Sequence, residues 1–185
     1  MATTTGGVLQ GEARERALLA SVAARDRKAM TELYRLYHPR LFKFAFRMAR
    51  SHATADELVN DIMLTVWRKA DSFAGRSKVS TWVLGIAYRQ TLRRITKRQI
   101  NIAPEVELDE LPGEERINLE KRDWILDGLG CLPAAQQLTV VLVFYVGLSY
   151  EEIADISDCP VNTVKTRMFH ARRKLKAHLE QAEQA

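Results

Sequence analysis

The sequence predicts an all-α protein built as two small helical domains joined by a flexible acidic linker. Apolar residues recur at helical spacing through almost the whole chain, and no stretch alternates with period two for long enough to make a sheet. Charge also switches abruptly in the middle. From Ser72 to Pro104 there is no acidic residue, while Arg76, Lys78, Arg89, Arg93, Arg94, Lys97 and Arg98 lie there. From Glu105 to Glu115 there is no basic residue, while Glu105, Glu107, Asp109, Glu110, Glu114 and Glu115 lie there, punctuated by Pro112 and Gly113. Such a stretch reads as a linker. The 185 residues accommodate one large domain or two small ones, and a hydrophobic fraction of 46% suffices to bury a core.

The elements follow in order. Met1 to Gly11 is small and polar, without the basic and apolar blocks of a signal peptide, and residues 1–23 read as an arm whose start is disordered. Met30, Leu33, Tyr34 and Tyr37 fall at i, i+3, i+4 and i+7, and Leu41, Phe44, Ala45 and Met48 repeat that spacing. Pro39 is expected to divide these runs into two helices, because proline removes a backbone donor and clashes with the preceding turn. A third helix is predicted from Thr54, with Thr54 and Glu57 as a capping box and Leu58, Val59, Ile62, Val66 and Trp67 as its apolar stripe. Asp71 to Ser80 reads as a loop, and a fourth helix as Thr81 to Arg98. In the second half, Trp124, Ile125 and Leu129 suggest a helix ending near Gly130 and Pro133. Leu138, Val141, Leu142 and Tyr145 suggest another, stopped at Gly147.

The last segment carries the most specific local signal. Ser149 and Glu152 make a capping box, and Leu148 and Ile153 stand where a hydrophobic staple would. A short helix, Tyr150 to Ser157, is followed by a turn through Asp158 and Cys159. Pro160 then opens a longer helix from Val161 to about His178, with Val164, Met168, Ala171 and Leu175 continuing the stripe. Short helix, tight turn and longer helix make a helix-turn-helix. On the other face Asn162, Lys165, Thr166, Phe169 and Arg173 combine base-edge hydrogen bonders with an aromatic that can pack on thymine methyls. Lys165, Arg167, Arg172, Arg173, Lys174 and Lys176 add positive charge with no acid among them, which suits phosphate.

Other chemistries are not indicated. Cys131 and Cys159 form no C-x-x-C pair and have no histidine at ligand spacing, so they read as reduced, buried thiols of a cytosolic protein. His38, His52, His170 and His178 are scattered. There is no P-loop, no G-x-G-x-x-G and no H-E-x-x-H. Asp56, Glu57 and Asp61 could suggest a Mg²⁺ site, but acids are favoured in the first turns of a helix by its dipole alone. No catalytic residue, metal or cofactor is therefore expected. The longest apolar run, Leu138 to Leu148, is far short of the ~20 residues of a membrane span, so no membrane insertion and a cytoplasmic location are expected.

The chain resembles a known family. Gly147-Leu-Ser-Tyr-Glu-Glu-Ile-Ala154, Cys159-Pro-Val-Asn-Thr-Val-Lys-Thr-Arg167 and Ala171-Arg-Arg-Lys-Leu175 are similar to the sigma-4 domain of extracytoplasmic-function sigma factors, with Leu132-Pro133 at its entry. Ala55-Asp-Glu-Leu-Val-Asn-Asp61, Val66-Trp67, Phe73 through Ser80-Thr-Trp82 and Ile86-Ala87 resemble the sigma-2 domain. The resemblance implies an arm over 1–23, sigma-2 over 24–102, a linker over 103–117, sigma-4 over 118–180 and a tail over 181–185. It implies a non-enzymatic subunit that binds RNA polymerase core and directs initiation at promoter DNA, partnered by an anti-sigma factor.

It also implies residue roles. Asp56, Leu58, Asn60, Asp61 and Leu64 would meet the polymerase. The loop Phe73 to Ser80 and the helix after it would take the −10 element as a single strand. Phe73, Trp82 and Tyr88 offer stacking planes there, and Arg76, Lys78, Ser80, Arg89 and Arg93 reach backbone or base edges. A place in the core is the competing reading of Phe73 and Trp82. Asn162, Lys165, Thr166, Arg167, Phe169, His170 and Arg173 would read the −35 duplex. His170 departs from the family's common arginine and, being mostly neutral at pH 7, would bind phosphate or guanine less strongly. The acidic run resembles the family segment that threads toward the polymerase active site, although a solvated linker explains the same residues. Two other classes compete: a helix-turn-helix regulator with a helical sensor domain, and a DNA-processing enzyme that uses this motif for targeting. The first half shows no ligand or phospho-acceptor site, and no constellation serves the second.

Overall fold

A computed structural model describes residues 4–49, 51–100 and 128–182, with side chains over 11–49, 51–97 and 128–181. Among the described residues the elements are helical: α1 (Thr4–Ala23), α2 (Arg27–Ala49), α3 (His52–Lys69), a 3-10 turn (Ala70–Ser72), α4 (Val79–Ile100), α5 (Ala134–Phe144), α6 (Tyr150–Ser157) and α7 (Val161–Ala182). The all-α expectation holds. The acidic run, with Trp124 and Ile125, lies outside the described residues.

Three details differ from the sequence reading. Residues 4–23, expected as an arm, are helical, and Leu19 and Val22 of α1 join the core. Alanine and leucine dominate its last turns, and its small residues give it little visible apolar periodicity. The chain then reverses at Arg25, in the left-handed region at φ 68°, and Asp26 caps α2 by accepting from the Lys28 backbone N–H at 2.7 Å.

Pro39 does not divide α2, which runs unbroken through it. A proline inside a helix costs about 3 kcal/mol, but both halves are held by burial. Leu33 and Tyr37 before it and Leu41, Phe44 and Ala45 after it are all in the core, each capable of contributing about 1.5–3 kcal/mol if large. Pro39 itself is exposed, so its missing donor faces water.

The third helix starts earlier than expected, at His52. Ser51 is its N-cap, accepting from the Thr54 N–H at 3.4 Å, so Thr54 occupies the third position and not the cap. Glu57 is consequently free of a capping role and pairs with Arg94 of α4 at 2.9 Å. The fourth helix likewise extends past both expected ends.

Helices α1–α4 bury Leu33, Phe44, Val59, Ile62, Val66, Val83 and Leu84. In the second domain Leu138, Val141 and Leu142 of α5 meet Val164, Met168 and Ala171 of α7. Residues 128–130 are helical, and a Cβ on Gly128 would lie 3.0 Å from Leu175 Cδ2, so glycine permits this close approach to α7. Gly147, at φ 76°, lets the chain leave α5 where the sequence placed its stop.

The two domains touch. Helices α6 and α5 pack on α4. The Arg47 guanidinium lies 4.4 Å from the centre of the Tyr145 ring, Lys78 Nζ is 4.0 Å from Glu152 Oε1, and Arg167 Nη1 donates to the Tyr88 hydroxyl at 3.4 Å. No helix among the described residues is long and apolar enough to cross a membrane.

Candidate functional site

The helix-turn-helix forms as its sequence dictates. Ser149 Oγ accepts from the Glu152 N–H at 3.1 Å, and Glu152 Oε2 accepts from the Ser149 N–H at 3.0 Å, completing the capping box. Leu148 and Ile153 are both buried at the expected staple. Asp158 takes the left-handed conformation that ends α6. A non-glycine residue there is tolerated because short Asp and Asn side chains adopt it most readily. Val164, Met168 and Ala171 then turn inward, which fixes the opposite face of α7 outward.

On that face Asn162, Lys165, Thr166, Phe169 and Arg173 are exposed, Phe169 at 63%. Phe144 of α5 is open to a similar degree, at 60%. His170 is half-buried and meets Phe169 edge-on, with ring centres 5.5 Å apart. Arg167 does not share this surface. It is half-buried and turned toward α4, between the Tyr88 hydroxyl and Cys159 Sγ at 3.6 Å.

A second surface lies between α3 and α4. A groove of about 400 Å³ is lined by Lys69 and Ser72 on one wall and Trp82, Arg89, Gln90 and Arg93 on the other. A neighbouring hollow continues it past Arg68, Arg93 and Lys97 to Asp61 and Leu64. Gln90 Nε2 donates to Thr65 Oγ1 at 2.7 Å and bridges the two helices at the floor. Cations flank a half-buried indole, an arrangement that suits a single strand's phosphates and one unstacked base. Phe73 meets Trp82 edge-on at 5.6 Å, and both rings are half-buried against the core.

The remaining sequence-predicted −10 residues separate. Arg76 is exposed on the loop. Ser80 is half-buried and, with Lys78, lines a different cavity bounded by Glu12, Glu15, Arg40 and Glu152. Tyr88 is only 3% exposed, covered by the second domain, and does not offer a stacking plane in this arrangement. Burial raises its hydroxyl pKa above the ordinary 10. The sequence reading missed Lys69, Ser72 and Gln90. The Arg68-Lys69 pair closing α3 was visible, but only packing shows that the end of α3 faces α4.

On α3, Asp56, Asn60, Asp61 and Leu64 are exposed, Leu64 at 45%. Leu58, expected among them, is buried in the core at 3% exposure, since it falls on the inward stripe with Ile62. Asp56 lies 3.7 Å from His38 Nε2, and Asn60 accepts from the Tyr34 hydroxyl at 3.0 Å, so α2 orients this face.

The cysteines are not both buried as expected. Cys131 is exposed and its Sγ lies 3.6 Å from His178 Nδ1, a neighbour 47 residues away that spacing could not reveal; Cys159 is half-buried. Among the described residues no group of three or more potential metal ligands converges.

Comparison with known proteins gives this geometry a context. The family Sigma-70 region 2 matches residues 33–100, and Sigma-70, region 4 matches residues 122–175. The sigma factor SigK of Mycobacterium tuberculosis and of Mycobacterium bovis, named an ECF RNA polymerase sigma factor, is 27% identical over 173 residues, covering 89% of this chain and 92% of the relative. SigK of a Mycobacterium species, strain JLS, is 28% identical over 86% of this chain and 87% of its own. The fold is similar to that of CnrH, solved with the cytosolic domain of CnrY, at a TM-score of 0.69 and 23% identity, covering 91% of this chain and 98% of that one. It is also similar to RpoE of Bartonella quintana, solved with the anti-sigma factor NepR, at a TM-score of 0.60 and 25% identity, covering 83% and 98%. Two sigma regions in this order, on two helical domains with an outward-facing recognition helix, place the chain in the extracytoplasmic-function group of the sigma-70 family, whose members are RNA polymerase sigma factors.

Proposed function

We propose that the two domains divide promoter recognition between them. Residues Asn162, Lys165, Thr166, Phe169, His170 and Arg173 of α7 enter the −35 major groove, and Arg167 joins them once it leaves Tyr88. The α3–α4 groove, with Trp82, Arg89, Arg93, Lys69 and Gln90, holds the −10 strand, and the loop 73–80 chooses a base in it. Asp56, Asn60, Asp61 and Leu64 meet the polymerase core. The observation that carries this reading is the outward face of α7, where Asn162, Lys165, Thr166, Phe169 and Arg173 are exposed together, beside a separate α3–α4 groove in which cations flank Trp82. We further infer that the first domain comprises α1 to α4 and the second runs from about residue 118 to α7, that the protein acts in the cytoplasm and at the nucleoid when polymerase-bound, and that it has no enzymatic activity of its own.

An anti-sigma factor belongs to the same proposal. The support is RpoE of Bartonella quintana, solved with NepR. The decisive experiment is run-off transcription with purified core polymerase on genomic fragments. Discrete start sites that require the added chain are expected. Duplex binding without core-dependent initiation would instead indicate a helix-turn-helix regulator.

A further inference from the structure

Outside these two surfaces, a guanidinium on α1 reaches across to the loop 73–80. Arg16 Nη2 donates to the Ser77 carbonyl at 3.1 Å and Nη1 to the Gly75 carbonyl at 3.5 Å. Its Cζ lies 5.8 Å from the centre of the Phe73 ring. Glu12, one turn earlier on α1, accepts from Nε at 3.2 Å and from Nη2 at 2.9 Å, aiming the group. The loop has little else to hold it. Its ends are tied by the Phe73 N–H to Ala70 and by the Trp82 N–H to Lys78, but among the described residues no backbone–backbone hydrogen bond joins two members of 74–77. Gly75 sits at φ 69°, and a Cβ there would come within 3.4 Å of Arg16 Nη1. The glycine serves the turn, and a Cβ in its place would only touch the guanidinium.

We propose that Arg16 is a positioning residue that fixes the shape of this loop and thereby sharpens the choice of −10 base. The inference rests on the reading of the loop as the base-choosing segment. Only arginine presents a rigid planar fork able to satisfy two carbonyls and an aromatic face at once. A loop that receives an unstacked base discriminates best when its backbone is ordered beforehand. Without the fork, ordering is deferred to binding, and the loop can adapt to a wrong base as readily as to the right one.

The test uses the full chain with core polymerase, in transcription from −10 variants at a fixed −35 element, together with amide hydrogen exchange over 73–80. Arg16→Ala should speed exchange in that segment and narrow the ratio between the best and second-best −10 variants by about three- to tenfold, the scale of one ordinary hydrogen bond, since both contacts are exposed. The −35 preference should not move. Arg16→Lys, with one donor group, should restore part of the ratio. Arg16→Gln, which keeps a polar head but loses the charge and the fork, should narrow it as Arg16→Ala does and decides the matter should Arg16→Ala fold poorly. Parental exchange rates in Arg16→Ala overturn the proposal. So does an unchanged −10 ratio, provided that exchanging the loop for that of another sigma factor transfers its preference. If the exchanged loop transfers nothing, the loop is a connector, and the reading beneath the proposal falls with it.

Discussion

The contact between Arg167 and Tyr88 makes a quantitative prediction, because one partner is a proposed −35 residue and the other is not. Tyr88→Phe removes the hydroxyl and leaves the buried ring in place. The lost hydrogen bond is long, 3.4 Å, so its contribution is set at about 0.5–1 kcal/mol, the lower half of the usual range. A duplex carrying only the −35 element must draw Arg167 away from Tyr88 before using it. The variant should therefore bind that duplex about two- to fivefold more tightly, although Tyr88 touches none of it. Arg167→Ala should bind more weakly, since it loses the DNA contact as well. Fluorescence anisotropy at one fixed salt concentration measures both. Unchanged or weaker binding by Tyr88→Phe, with an unchanged melting curve, would refute the competition. Tighter binding by Arg167→Ala would show that this arginine holds the domains together and does not read DNA. The Tyr88 pKa is raised chiefly by burial, while Arg167 beside it acts the other way.

Other outcomes follow from the same geometry. Asp61→Lys together with Leu64→Ala should abolish co-purification with core polymerase while circular dichroism stays unchanged, because both residues are exposed; retained binding would move the polymerase contact elsewhere. Lys165→Ala should relax preference at one or two −35 base pairs by about 1–3 kcal/mol, as read by selection from a randomised duplex. Arg173→Ala, two turns later, should weaken binding evenly across sequences and flatten the salt dependence by about one unit of slope. Ser149→Ala breaks the capping box of α6 and should cost about 1 kcal/mol, seen as a melting temperature lower by several degrees.

Much of this was legible in the sequence. The short helix of the helix-turn-helix was read to the residue, because each end of α6 has its own chemical signal. Ser149 and Glu152 cap one end, Asp158 ends the other, and Pro160 starts the next helix. The first domain was less legible at its boundaries. Ser51 and Thr54 both make acceptable caps, and only packing selects Ser51. Pro39 was read by its local cost, whereas the apolar residues on both sides of it decide the outcome. Leu58 shows the same limit on the α3 surface. The family resemblance assigned it to the polymerase, but its spacing to Ile62 already placed it on the inward stripe. Arg16 lay beyond sequence reasoning altogether, because its partners are backbone carbonyls some sixty residues away.

The residues proposed for the −10 element show why a contiguous list can mix two surfaces. Along α4, Trp82, Ile86, Arg89, Gln90 and Arg93 recur at helical spacing and line the groove against α3. Leu84, Tyr88, Thr91 and Ile95 recur in the same way on a different face. Leu84, Thr91 and Ile95 line hollows shared with the second domain, where Leu148, Glu152 and Gln137 are the opposing residues. Tyr88 follows Arg167 into that contact, one residue from Arg89 in sequence and about 100° from it around the helix. The groove can therefore be open while the domains stay packed, whereas Tyr88 can reach DNA only after they separate. Among the described residues the polar contacts between the domains are modest: an exposed ion pair contributes about 0–1 kcal/mol, and a guanidinium over a half-buried ring about 0.5–2 kcal/mol. Packing of α5 and α6 on α4 adds to them. The same helix thus carries one face that is open in this arrangement and a second that opens only when the domains are apart.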